Sequence, residues 1–500
     1  MNKPLTALLA KLNYGKFNQE KNTESSHGLV ETIARVYERA RNALEYRADN
    51  LVRRAAIERI LKRIMILTHD PEKIADHLLT ELRWAKYISQ EETKIAIRSN
   101  IPKILEKYTT YKGLVPQEWV IKIASAEIEE LFNLNTDYGQ FTFFAFQVIR
   151  QKVSINDNNI DLLLYFATDK VYAGSDDEQV AYHILKLAGN NVSRDNLEEA
   201  WRLFSLAKSH KVLPRISKFV RRQMPPLILL RDIYFYEPTT FKNIISDVDR
   251  FDAQAQEVLK NQLQQMSGKI ATAGVRSVIY VFLTKMILAF GVEVPFEIFL
   301  YRHLNPIPLV VNLAFPPLLM WLSTIQIKLP SKKDQADLIE RSWYILEHFD
   351  LLHEEDDILT DTSSEEKHGI VYKIFTTLYV ALFIGVFWGI YYLLGKIGYT
   401  FFSKIIFIFF LTIIAFFAYR IAQIASIYSW KKSGHNATFM EIVSLPILSI
   451  GSRLSQGLTH LNFLAFAFDF ILEAPFKIIL GFVDDWVQFL SAKREEQIIE

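Results

Sequence analysis

The chain has 500 residues, 50% of them hydrophobic and 23% charged, with a formal net charge of +1. That charged fraction is ordinary for a soluble chain, so the hydrophobicity must be concentrated in particular segments, and near-neutrality gives no global reason to expect nucleic acid as a partner. Cysteine is absent, which excludes disulfides, thiolate catalysis, thiolate zinc sites and Cys-ligated iron–sulfur clusters.

Residues 1–27 begin with a short apolar patch ended by Lys11, too short for a secretory h-region, and then turn polar (GKFNQEKNTESSH). They read as a disordered lead-in. A helical cytosolic domain is expected over 28–270. Its first segment carries Ile33, Tyr37, Ala40 and Leu44, then Ile57, Ile60, Leu61 and Ile64, at the three- and four-residue spacing of a helix face. Arg35, Arg39, Arg41, Arg47, Arg53, Arg54, Arg59, Lys62 and Arg63 are interleaved with glutamates, a pattern that favours pairing within the helix. Amphipathic helices follow near 71–89, 116–133, 158–170, 177–188 and 195–209. The last has Asp195 and Glu198 at capping-box spacing.

Lys211, Arg215, Lys218 and Arg222 then share one helical face, with Pro214 suited to the start of the helix and Lys211 just outside it. Such a face suits anionic lipid headgroups, or it is an ordinary solvated surface. The stretch 241–292 has no proline and passes from charged to apolar without a turn. It reads as one long helix, or two nearly continuous ones.

Four apolar spans are expected at about 277–300, 304–327, 374–395 and 403–428. The third is free of charge and long enough, at 1.5 Å per residue, to cross a hydrocarbon core of about 30 Å. The first contains Lys285, Glu293 and Glu297; the second contains Pro306, Pro308, Pro316 and Pro317 and is expected to break; the fourth has Lys404 at its start and Arg420 near its end. The first two form a membrane hairpin over 271–328, or a re-entrant element if the helix breaks, and the second two a hairpin over 370–430. Between them, 329–369 is an acidic cytosolic linker whose Glu347, His348, Asp350, His353, Glu354, Glu355, Asp356 and Asp357 read as solvated charge. No metal site is assigned to it. Lysines 328, 332, 333, 431 and 432 place the linker and the termini on the cytosolic side by the positive-inside tendency.

Residues 431–500 are expected to form C-terminal amphipathic membrane-associated helices. Asn462, Asp469, Glu473, Lys477, Asp484 and Gln488 trace a narrow polar stripe, with Glu473 and Lys477 in favourable i,i+4 order. GVEVPFEIFL (291–300) and ILEAPFKIIL (471–480) share Glu, Pro, Phe, Ile and Leu in register. A repeated helix-breaking element of this kind fits transporters built on discontinuous helices.

No Walker loop, HExxH, GxSxG or dinucleotide fingerprint occurs. The expected fold is therefore all-α: an integral membrane protein with a large N-terminal helical cytosolic domain and about four transmembrane helices in two hairpins. The expected function is non-enzymatic and without cofactor, the helical domain binding a protein partner or organising a complex on the cytosolic side of the lipid bilayer. The alternative is an ion or solute transporter or channel using the intramembrane polar residues Lys285, Glu293, Glu297, Glu473 and Lys477.

Overall fold

In the computed structural model the described residues are all-α apart from one short extended bridge, in which Leu359 N–H donates to Lys152 O at 2.9 Å. The structure describes residues 3–14, 51–85, 87–88, 95–109, 111, 113–132, 137–188, 194–301, 306–327, 329–348, 358–360, 370–425 and a few positions between 427 and 450. Two compact units emerge. The first draws on described residues of 1–224 and 347–359, the second on those of 225–346 and 360–462.

The first unit contains α1 (Lys3–Lys11), α2 (Val52–Leu67), α3 (Pro71–Trp84), α4 (Ile95–Thr109), α5 (Gln117–Phe132), α6 (Asp137–Arg150), α7 (Ile160–Thr168), α8 (Asp177–Ala188), α9 (Arg194–Ser209) and the first half of α10 (Leu213–Tyr236). Apolar spacing decides which faces turn inward. Ile57, Ile60, Leu61 and Ile64 of α2 are buried, and α2 packs on α3 and α5. Each side chain so buried contributes about 1.5–3 kcal/mol by removal from water.

Local chemistry sets the helix ends. Pro71 opens α3 behind an Asp70 N-cap, whose carboxylate accepts from Glu72 N–H at 3.1 Å. α9 begins at Arg194, and Glu198 within it accepts from Tyr111 OH (3.3 Å) and Leu114 N–H (3.4 Å), fixing the loop before α5. A reciprocal box stands at Asp176 and Gln179, where Gln179 N–H donates to Asp176 Oδ1 (3.0 Å) and Asp176 N–H to Gln179 Oε1 (3.3 Å).

The second unit contains the rest of α10, α11 (Phe241–Ile244), α12 (Val248–Leu288), a π turn (Ala289–Glu293), α13 (Val294–Tyr301), α14 (Pro306–Ile325), α15 (Lys332–His348), α16 (Ile370–Lys396) and α17 (Phe401–Ala425). Four of its helices are long and apolar enough to cross a membrane: Val248–Leu300, Pro308–Ile325, Thr376–Lys396 and Phe401–Ala422. The long helix expected across 241–292 is present as α12 and its π turn. One inward stripe runs through it, from Phe251, Ala255, Leu259 and Met266 to Gly274, Val281 and Lys285. Its outward face changes from charged (Asp252, Glu257, Lys260) to apolar (Ile279, Leu283, Ile287).

Helices α12, α14 and α17 pack on one another. Gly274 permits the α12–α14 approach, since a Cβ there would lie 2.3 Å from Thr324 Cγ2. The break expected in α14 does not occur. Pro316 and Pro317 sit inside a continuous helix, where they remove only the donors that would reach the carbonyls of Asn312 and Leu313. α16 is peripheral, with 6% of its apolar window buried against 56% for α17.

Candidate functional site

The three packed apolar helices enclose a polar cluster. Lys285 of α12 is wholly inaccessible, and its Nζ donates to Glu293 Oε2 at 3.2 Å. Asn312 Nδ2, from α14, donates to the other oxygen of the same carboxylate. The Lys285 ammonium also lies 4.8 Å from the centre of the Phe410 ring of α17, a cation–π contact. One carboxylate thus receives an ammonium and an amide, one on each oxygen.

The pair is brought into register by the π turn. Two turns of α-helix take 7.2 residues, so position 292 would normally lie above 285. The extra residue in a π turn moves that place to 293.

Glu297, one α-helical turn beyond Glu293, builds the second half of the cluster. Its Oε1 accepts from Ser403 Oγ at 2.7 Å and Thr400 Oγ1 at 3.0 Å, both at the start of α17. Thr400 also caps that helix, its Oγ1 accepting from Ser403 N–H (3.3 Å) and its carbonyl from Lys404 N–H (3.1 Å). Beside it, Tyr399 is buried against Leu394 and Phe407. Its hydroxyl, like Asn312 Oδ1, has no hydrogen-bond partner among the described residues.

Of the nine residues singled out by sequence, Lys285, Glu293 and Glu297 therefore come together. Glu473 and Lys477 lie outside the described residues, as does the local echo that contains them. Lys211, Arg215, Lys218 and Arg222 are all exposed, with Arg221 beside them, while Ile216, Phe219 and Val220 of α10 are buried. Lys211 precedes the helix. In the acidic linker α15 extends to His348, which lies 3.9 Å from Glu347, and 349–357 are outside the described residues. Asn312, Tyr399, Thr400 and Ser403 were not flagged by sequence, being uncharged groups in apolar runs. Pro316 and Pro317, four and five places beyond Asn312, were a local sign that α14 was unusual there.

Comparison with known proteins finds no match, whether to a family model, a curated protein or a solved structure. Function has to be argued from these side chains.

The first unit holds two ionic clusters of its own. Arg54, fully buried, donates to Glu58 Oε2 (2.7 Å) and Ser125 Oγ (3.2 Å), pairs with Asp176, and lies 3.8 Å from Glu178. The expected pairing within α2 holds for Arg54 with Glu58 and for Lys62 with Glu58. Arg53 also reaches Glu129 of α5 and Arg63 reaches Glu81 of α3, both on other helices. Burial of this face against α3 and α5 puts carboxylates from other helices within closer reach.

Glu58 and Asp176, beside one guanidinium, shift in opposite directions. Burial opposes ionisation of Glu58, but Arg54 and Lys62 outweigh it and hold the group down at about 2. At Asp176 burial, with Glu178 and Glu58 nearby, outweighs Arg54 and pushes the carboxyl up to about 6. In the second cluster, Asp169 accepts from Ser175 Oγ (2.8 Å) and sits 2.7 Å from His183 Nδ1. Burial alone would lower the imidazole; Asp169 raises it above its ordinary value.

Two outcomes follow from these charges. Removing one partner of the buried pair by Lys285→Met or Glu293→Gln is expected to cost about 3–5 kcal/mol, and the double variant to recover most of the loss. Denaturant unfolding of the detergent-solubilised chain, followed by tryptophan fluorescence, measures both. Asp176 and His183 both have raised folded-state values, so their contributions are complete below the unfolded values and are lost as pH rises through about 6 for Asp176 and then through the raised His183 value. The melting temperature is expected to fall by several degrees between about pH 5 and pH 8. Asp176→Asn should flatten the lower part of that curve and His183→Gln the upper.

Proposed function

We propose that the chain is a multi-pass membrane protein and that the Lys285–Glu293–Asn312 and Glu297–Thr400–Ser403 cluster is the coupling site of an ion or solute transporter or channel. The observation that carries this is the wholly buried Lys285–Glu293 pair among helices apolar enough to cross a bilayer. Charge at such depth costs several kcal/mol and is a functional candidate by default. The π turn and the proline pair in α14 support it, since both interrupt regular backbone bonding beside the polar groups. Exposed Lys332 and Lys333 favour the cytosolic side for the segment between α14 and α16.

The test is flux into proteoliposomes of the full chain under an imposed pH or salt gradient. Wild-type protein is expected to give flux above that of empty vesicles, and the Lys285→Met/Glu293→Gln double variant, expected to keep its fold, to lose about 90% or more of it, a change worth about 1.4 kcal/mol. Wild-type flux equal to that of empty vesicles removes the proposal.

A second reading is favoured by the exposed basic row Lys211, Arg215, Lys218, Arg221 and Arg222. Here the helical first unit is non-enzymatic and binds an acidic protein partner on the cytosolic side. Cross-linking in native membranes is expected to capture a protein with the wild-type chain and not with the Arg215→Glu/Lys218→Glu/Arg222→Glu variant. Identical capture by both removes this role for the row.

A further inference from the structure

α16 leaves most of its surface uncovered, and one row along it is graded from charged to apolar. Lys396, Tyr392, Trp388 and Ile384 follow at steps of four on a single face, and all four are exposed. Their side chains form a ladder. The Lys396 ammonium lies 5.5 Å from the centre of the Tyr392 ring, and that ring stacks on Trp388 with centres 5.5 Å apart and planes 15° from parallel. A cation thus stands at the helix end, two aromatic rings with polar edges come next, and an alkyl side chain lies below them. A phospholipid lying along the helix has the same order: headgroup, glycerol region, acyl chain.

A second cation is brought to the same end. Lys404 of α17 crosses to α16, where its Nζ sits 4.2 Å from the centre of the Tyr391 ring. Gly395 makes room for it, since a Cβ there would lie 3.1 Å from that Nζ. The neighbouring Ser403 bonds Glu297 within the bundle, but Lys404 turns the other way. Among the described residues neither lysine has a carboxylate partner, and both ammonium groups rest on tyrosine rings.

Position makes these charges informative. Lys396 closes the apolar stretch Thr376–Lys396 and Lys404 lies near the start of Phe401–Ala422, the level at which long basic side chains meet lipid phosphates. With the segment before α16 on the cytosolic side, this end of the helix emerges at the opposite face, where the positive-inside tendency disfavours lysine. Orientation in the membrane therefore does not account for the pair.

We infer that the α16–α17 turn binds an anionic phospholipid, its phosphate held by Lys396 and Lys404 and one acyl chain lying along Tyr392, Trp388 and Ile384. This rests on the multi-pass reading of the chain and not on transport. A lipid fits better than a free anion because the aromatic and apolar row continues directly below the charge, and a soluble phosphate would leave that row unused.

The experiment is quenching of Trp388, which lies ~12 Å along the helix from Lys396, by lipids brominated in their acyl chains. The full chain is reconstituted in phosphatidylcholine vesicles containing a rising fraction of brominated phosphatidylglycerol or brominated phosphatidylcholine. The Trp388 signal is the difference between wild type and Trp388→Phe. Half-maximal quenching is expected at about one-fifth or less of the fraction for phosphatidylglycerol that phosphatidylcholine requires, the scale of one lysine beside an anionic headgroup. Lys396→Gln/Lys404→Gln is expected to make the two lipids equal while melting as the wild type does. Should that variant fail to fold, wild type in about 1 M salt serves instead, where screening is expected to remove the preference. A preference that survives either treatment overturns the inference. Its loss on adding excess inorganic phosphate at constant ionic strength assigns the lysines to a free anion and also overturns it. Equal quenching of wild type by both lipids overturns the lipid site alone; no quenching by either overturns the membrane reading with it.

Discussion

The apolar bundle is organised around the need to neutralise one ammonium. Lys285 is the last residue of the inward stripe on α12, and at that depth an unpaired cation costs more than any single packing contact returns. Glu293 answers it, yet the carboxylate reaches the right face only because the helix takes up an extra residue at Ala289–Glu293. The π turn, the register of Glu297 beyond it, and the placing of Asn312 on α14 and of Thr400 and Ser403 on α17 all serve that one charge and its surplus carboxylate. The close passage of α12 and α14 at Gly274 and Thr324 holds the partners near enough to bond.

α12 links two environments. Its 41 residues span about 60 Å, roughly twice the thickness of a hydrocarbon core. The same buried stripe continues along its whole length while the outward face changes from charged to apolar. Near its start Phe251 packs on Trp343 of α15, with ring centres 5.4 Å apart, and near its end Lys285 meets Phe410. A rigid rod with packed contacts at both ends is a physical route by which a change at one end of the second unit reaches the other. α16, largely uncovered, takes little part in it.

The first unit uses charge in another way. Arg54 gathers carboxylates from α2 and from the turn into α8, so one cation fixes elements more than a hundred residues apart in sequence. A guanidinium suits this because its fork of donors can serve several acceptors at once. The surplus negative charge shows in the opposite titration of Glu58 and Asp176.

By itself the sequence determined the helical class, the four apolar segments and the inward face of α2, because periodicity and composition are local and burial follows them. It also singled out Lys285, Glu293 and Glu297, since charge in an apolar run is conspicuous. Tertiary structure alone decided what those charges meet. Asn312, Thr400 and Ser403 are ordinary residues in their own segments and acquire meaning only where three helices converge. The partners of Arg53 and Arg63 on other helices stayed hidden for the same reason, as a helix pattern shows neighbours four residues away but not those on the next helix. The prolines of α14 read as a break because proline removes a backbone donor; packing against α12 and α17 kept the helix continuous.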